Sequence, residues 1–147
     1  MTLGVDPGRT GAAVELADDG RTALRVWTWQ DQDVPPRLDL PVVLTAVEAQ
    51  HVGRGRASSL ALATWTGRLL EQVRGELLRP HPATWRAAVL GVGRLRRADA
   101  KSAARRACEI YALGEGLPTD DACEAWCLAR YAWGVSRRPG APRPTGR

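Results

Sequence analysis

Four carboxylates in this chain sit where a merely solvated charge is out of place: Asp6, Glu48, Asp121 and Glu124. Asp6 closes the stretch "TLGVD" and shares a face with Gly4, because side chains on a strand alternate with a period of two. Taken alone, the "DPG" that follows is an ordinary turn signal. Glu48 ends the near-continuous apolar run "PVVLTAV". Asp121 and Glu124 stand three apart in "TDDACEAWCLARYAW", which places both on one face of a mostly apolar helix. Asp120 should point away from them, as an acid favoured by the positive end of a helix. A carboxylate in such a setting is costly unless a cation meets it. Four hard oxygen donors, with no histidine triad or cysteine cluster beside them, suit Mg2+, with Mn2+ able to substitute. Two such ions about 3.5–4 Å apart are a recurring arrangement for in-line attack on a phosphodiester. The spacing makes the four acids compatible with that chemistry; it does not by itself make them meet.

To position these groups the chain needs a sheet and packed helices. Residues 2–6 and 12–17 read as paired strands, joined through a turn that Pro7, Gly8 and Gly11 permit. Residues 22–29 alternate as a third strand, with Val26 and Thr28 on one side and Trp27 and Trp29 on the other. Residues 31–40 carry Pro35 and Pro36 and read as a loop or the start of a short helix. The run from Pro41 to Glu48 suits a strand buried on both faces. Ser58 or Ser59 is expected to cap a helix that runs to about Val73, with Leu62, Trp65 and Leu69 at helical spacing. That stripe fits a core face and the apolar seam of a dimer equally well. "LLRPHPATW" breaks the helix, supplies one short strand, and opens a short helix near Pro82. A helix over 99–112 carries Ala103, Ala107 and Ile110 on one face and stops at Gly114 and Gly116. Thr119 caps a last helix that reaches about Trp133. Strands first and helices later imply an α/β chain, a mixed sheet with helices packed around it. Residues 1–135 form one domain on this reading. The segment 136–147, "SRRPGAPRPTGR", is expected to be a basic, disordered tail.

The chain has 147 residues, a formal charge of +5 and a pI near 9.8, a balance that points to a polyanionic partner. Lys101 is the sole lysine among 21 basic Lys and Arg residues. The arginine skew also fits a GC-rich genome. A compact ammonium beside a scissile phosphate nevertheless differs in geometry from a guanidinium fork. Two glycine-arginine loops, "GRGR" at 53–56 and "GRLRR" at 93–97, offer Arg54, Arg56, Arg94, Arg96 and Arg97 to phosphates or unpaired bases. Cys108, Cys123 and Cys127 have no secreted-framework spacing and read as small buried thiols, which suits the cytoplasm. No signal peptide is evident, and no stretch approaches the roughly 20 apolar residues of a membrane span.

At this point the chain resembles the RuvC-like Holliday junction resolvases of the RNase H-like superfamily, over roughly residues 3–133. "GVDPG" resembles the motif of the first strand, which implies Asp6 as the first metal ligand. "VEAQ" resembles the second motif, with Glu48 as ligand. "PATWRAAVLGVGRLRRADAKSAA" resembles the short helix, G-x-G loop and helix-opening lysine, which implies Arg86 and Lys101 as basic groups near the cleft. "DDACEAWCLA" resembles the closing motif, with Asp121 and Glu124 in its acidic places. The resemblance implies an RNase H-like five-stranded mixed sheet flanked by helices. It also implies a homodimer and magnesium-dependent resolution of four-way DNA junctions by paired phosphodiester hydrolysis.

Two departures from that pattern stand out. Glu124 occupies a place where many relatives carry aspartate or histidine. His51 stands near the position of an aromatic wedge, and the chain contains no phenylalanine; histidine stacks on bases less well. Other readings are an RNase H-like nuclease acting on other branched DNA or on structured RNA, and a DNA-binding module with a degenerate acid cluster. "GVDPGRTG" also resembles the first phosphate loop of actin-like ATPases, but 147 residues do not supply their two lobes.

Overall fold

Small and branched residues alternate through the first sixteen positions, and they form a hairpin. Thr2–Asp6 (β1) pairs antiparallel with Gly11–Leu16 (β2), Asp6 lying opposite Ala12. Ala23–Trp29 (β3) continues antiparallel on β2, with a register shift at Glu15/Leu16. Leu44–Val47 (β4) then pairs parallel with β1, and Leu77–Leu78 (β5) parallel with β4. The sheet is mixed and five-stranded, in the order β3-β2-β1-β4-β5. This is the computed structural model of the chain; it describes residues 1–39, 44–49, 56–114 and 116–139, and for 56–59 the backbone only.

Four helices flank the sheet: Arg56–Leu70 (α1), Pro82–Leu90 (α2), Arg97–Tyr111 (α3) and Asp120–Ser136 (α4). Because β1 is central, its two faces meet different partners. Leu3 and Val5 face one cluster with Ala13, Trp29, Val47 and the α1 residues Trp65 and Leu69. Thr2 and Gly4 face α4, where Thr2 Oγ1 donates to Ala129 O at 3.0 Å. A Cβ on Gly4 would stand 2.0 Å from Ala125 O and 2.2 Å from Ala129 N. Only glycine lets the α4 backbone lie this close to the strand. The alanines of α4, including Ala122, Ala125, Ala129 and Ala132, are fully buried and complete that close seating. Among the described residues, no helix is long and apolar enough to cross a membrane.

Three expectations are corrected by the packing. Of the stripe Leu62, Trp65 and Leu69, the last two are core rather than a dimer seam, while Leu62 is half-buried and borders a cleft: Trp65 is 4% exposed and stacks on Trp29 at 5.7 Å between centroids. Its indole donates to Gln32 O at 3.0 Å, so a polar loop atom meets the ring's one polar atom. The first helix begins at Arg56, ahead of Ser58 and Ser59, and ends at Leu70; arginine and alanine propagate a helix better than serine does, so the helix extends past the serines to Arg56. On α3 the buried row is Ala100, Ala104, Ala107 and Cys108, and Ile110 is 65% exposed. The Ala103–Ile110 spacing describes one line on the helix, but α4 crosses a neighbouring line. The fourth strand's described part is Leu44–Val47, and residues 40–43 lie outside the described residues. All three cysteines are buried and free. α4 continues through Ser136, and Arg137 donates to Asp18 O at 2.9 Å.

Candidate active site

The sheet order brings the carboxyl ends of β1 and β4 side by side. Val5 is opposite Val47, and Glu48 N donates to Val5 O at 3.4 Å, so Asp6 and Glu48 emerge at one end of the sheet. The third element is the N-terminus of α4. Thr119 Oγ1 accepts from Ala122 N at 3.0 Å and starts the helix there. Close seating over Gly4 carries the first turns of α4 against Asp6. Carboxylate oxygens of Asp6, Asp121 and Glu124 consequently lie within 4.8 Å of one another. Asp120, one residue earlier, points the other way and pairs with Arg105 at 2.6 Å.

Glu48 lines the same cleft but stands outside that group of three. Its Oε1 accepts from Trp85 Nε1 at 3.1 Å. Arg86, the next residue on α2, places Nη2 3.6 Å from Glu48 Oε1 and 3.8 Å from Glu124 Oε1. Lys101, on α3, donates from Nζ to Asp121 Oδ1 at 2.8 Å. The cleft has a volume of ≈ 700 Å³, and Arg9, Thr10 and Arg97 reach its lining as well.

Electrostatics follow from this crowding. Burial, then the charges of Glu124, Glu48 and Asp121, hold the Asp6 carboxyl well above its ordinary 3.8, with Lys101 opposing. Burial and then Glu48 likewise raise Glu124 above 4.5, against Lys101 and Arg86. The hydrogen bond to Asp121 keeps Lys101 protonated, above its ordinary 10.5. Like charges forced together at the end of a sheet need a cation. Three convergent hard oxygen donors suit Mg2+ or Mn2+.

The structure thus gathers Asp6, Glu48, Asp121, Glu124, Arg86 and Lys101 around one cleft. Arg97 lines its mouth, and Arg94 and Arg96 are exposed on the preceding loop. His51 and Arg54 lie outside the described residues, as does the side chain of Arg56. Two members went unread in the sequence, Trp85 and Arg9. Trp85 adjoins Arg86 on a helix, and an indole beside a basic residue was the available signal. Arg9 sits in the turn just after Asp6 and pairs with Asp31 at 2.7 Å and Asp33 at 3.1 Å.

No family model matches the sequence, and no curated protein does either. Solved structures match by shape. A Thermus thermophilus RuvC structure aligns over 97% of this chain and 98% of its own, with a TM-score of 0.59 and 17% identity. T. thermophilus RuvC in complex with Holliday junction substrate aligns over 88% and 90%, with a TM-score of 0.59 and 16% identity. The chain has the fold of RuvC, an RNase H-like mixed sheet flanked by helices.

Proposed function

We propose that this protein is a divalent-metal-dependent, structure-selective endonuclease that resolves four-way (Holliday) DNA junctions by paired phosphodiester hydrolysis, acting as a homodimer. The observation that carries the reading is the convergence of Asp6, Asp121 and Glu124 at one end of the sheet, in a fold shared with a RuvC solved on a Holliday junction substrate. Residues 1–135 constitute the nuclease domain, and the reduced, buried thiols support a cytoplasmic site of action.

Asp6, Asp121 and Glu124, with Glu48 beside them, would hold Mg2+ or Mn2+. Bound there, such ions lower the pKa of the attacking water and offset charge on the leaving oxygen. The protein's own groups do the rest. Lys101 orients Asp121 and brings a permanent positive charge to the edge of the carboxylate group. Arg97 at the mouth, with Arg94 and Arg96 on the adjoining loop, supplies guanidinium forks for backbone phosphates. Phosphate contacts alone give affinity that is blind to shape and falls steeply with salt. Preference for a junction therefore requires two subunits that both engage only where strands diverge, and a two-fold axis supplies the two opposed cuts.

The test is cleavage of a labelled four-way junction in Mg2+, with a matched linear duplex and a structured RNA as competitors. Paired, symmetric nicks on the junction and none with Asp6→Asn are expected. Equal cutting of the duplex, or faster cutting of the RNA, refutes junction resolution and leaves the broader nuclease.

A further inference from the structure

Among the described residues, Arg86 is held in its place by charge and stacking rather than by hydrogen bonds. Its Nη2 lies 3.6 Å from Glu48 Oε1 and 3.8 Å from Glu124 Oε1, both too long for a hydrogen bond. Its Nε is shielded and has no hydrogen-bond partner among the described residues. The guanidinium lies over the Trp85 ring, 5.1 Å from the centroid, and the Trp85 indole meanwhile holds Glu48. The side chain is only 15% exposed. A structural arginine with this degree of burial ordinarily closes a bidentate fork on a carboxylate, which satisfies its donors and fixes its position. Arg86 instead sits between two carboxylates from different elements and closes a fork on neither.

That place matters because the two carboxylates it bridges belong to different parts of the cluster. Glu124 is one of the three convergent donors; Glu48 stands outside that group, and Arg86 Nη2 lies within 4 Å of both. We propose that Arg86 is a displaceable counter-cation that competes with a second divalent ion for Glu48 and Glu124. One ion at Asp6, Asp121 and Glu124 is compatible with Arg86 as it stands. A second ion between Glu124 and Glu48 is not, because two cations would then share the same oxygens at short range in a poorly solvated site. For the second ion to load, the guanidinium must leave along the Trp85 face towards the cleft, where a backbone phosphate offers it the fork it lacks at Glu48 and Glu124. The site therefore acquires its full complement of metal only with nucleic acid in the cleft. This inference rests on the metal-dependent reading above and adds the order of loading.

The experiment is a titration with Mn2+ alone, without DNA, read by calorimetry and by electron paramagnetic resonance for the number of ions bound. Wild type is expected to bind one ion per chain, with a much weaker second event. In Arg86→Met the second event should tighten by roughly tenfold or more, since a fixed charge next to its ligands is gone. Arg86→Lys keeps the charge on a shorter stem, so its second event should tighten by a smaller factor, and that tightening relative to wild type decides the matter even if Arg86→Met does not fold. Unchanged second-ion affinity in both variants, or weaker binding, overturns the counter-cation role while leaving a one-ion wild-type site intact. Absence of any bound ion in the wild type as well as both variants overturns the metal-dependent reading and this inference together. Asp6→Asn, which should lose the first ion, separates specific from surface binding.

Discussion

Substituting Gly4 by alanine tests the link between fold and site most directly. The new Cβ would meet Ala125 O at 2.0 Å, Ala129 N at 2.2 Å and Leu128 C at 2.9 Å, all backbone atoms of α4. No side-chain rotation relieves those contacts, so the helix itself must withdraw. Bringing the closest approach from 2.0 Å to the 3.4 Å of ordinary contact requires roughly 1.4 Å of movement in a close-packed interior. Overpacking of this kind typically costs about 1–3 kcal/mol, and rigid backbone partners place Gly4→Ala at or above the upper end. For a domain of this size about 3 kcal/mol corresponds to a Tm lowered by roughly 6–12 °C. Because α4 carries Asp121 and Glu124, its withdrawal should also separate them from Asp6 and weaken Mn2+ binding by at least about tenfold, about 1.4 kcal/mol. Gly67, a helical glycine on α1 with nothing within 4 Å of its would-be Cβ, is the control. Gly67→Ala should be neutral or stabilising, by up to about 1 kcal/mol. Thermal unfolding followed by circular dichroism, alongside Mn2+ titration, reads both effects. A Gly4→Ala protein that melts within about 2 °C of wild type and binds Mn2+ equally well would refute this account of how α4 meets β1.

Other expectations follow from the same geometry. Asp6→Asn should abolish cleavage and leave junction binding largely intact, because basic contacts supply most of the affinity. Asp6 and Glu124 have folded pKa values raised above their ordinary 3.8 and 4.5, so the folded chain holds their protons more tightly than the unfolded chain. In chelator, these two groups should destabilise the fold at neutral pH and cease to do so as the pH falls through their raised values. Asp6→Asn should accordingly melt above wild type near neutral pH, with the gap closing towards about pH 4; a gap that widens on acidification contradicts the burial of Asp6 among like charges. Lys101→Met removes the 2.8 Å contact to Asp121 and should slow cleavage by about a hundredfold or more, at no more than about 1 kcal/mol of stability. A cleavage rate near wild type would remove Lys101 from the machinery. Trp65→Ala should destabilise the fold by about 3–5 kcal/mol without producing a folded monomer, and a well-folded monomer would return Trp65 to a dimer seam. Light scattering at micromolar concentration should show a dimer, and a monomer both free and DNA-bound would count against paired cutting.

Much of the site is written in local sequence, because its parts depend on short-range rules. Period-two alternation puts Asp6 on the face of Gly4, and Thr119 starts α4 so that Asp121 and Glu124 share a face while Asp120 turns away. The positions of β1, β2 and β3 and the start of α2 follow in the same way, from alternation, turn residues and a proline in the first helical turn. Tertiary structure decided what covers each face. A helical stripe such as Trp65 and Leu69 looks alike whether it meets a sheet or a second chain, and only the aromatic partner Trp29 on β3 makes it core. On α3 the crossing direction of α4 selected the Ala100–Ala104 row over Ile110. The separation of Glu48 from the other three acids was equally invisible in sequence. It depends on β4 lying parallel beside β1, and on α2 then carrying Trp85 and Arg86 against Glu48. Periodicity along a chain reports which side a residue faces. Which group waits on that side depends on contacts between segments distant in sequence, and those exist only once the sheet order is set.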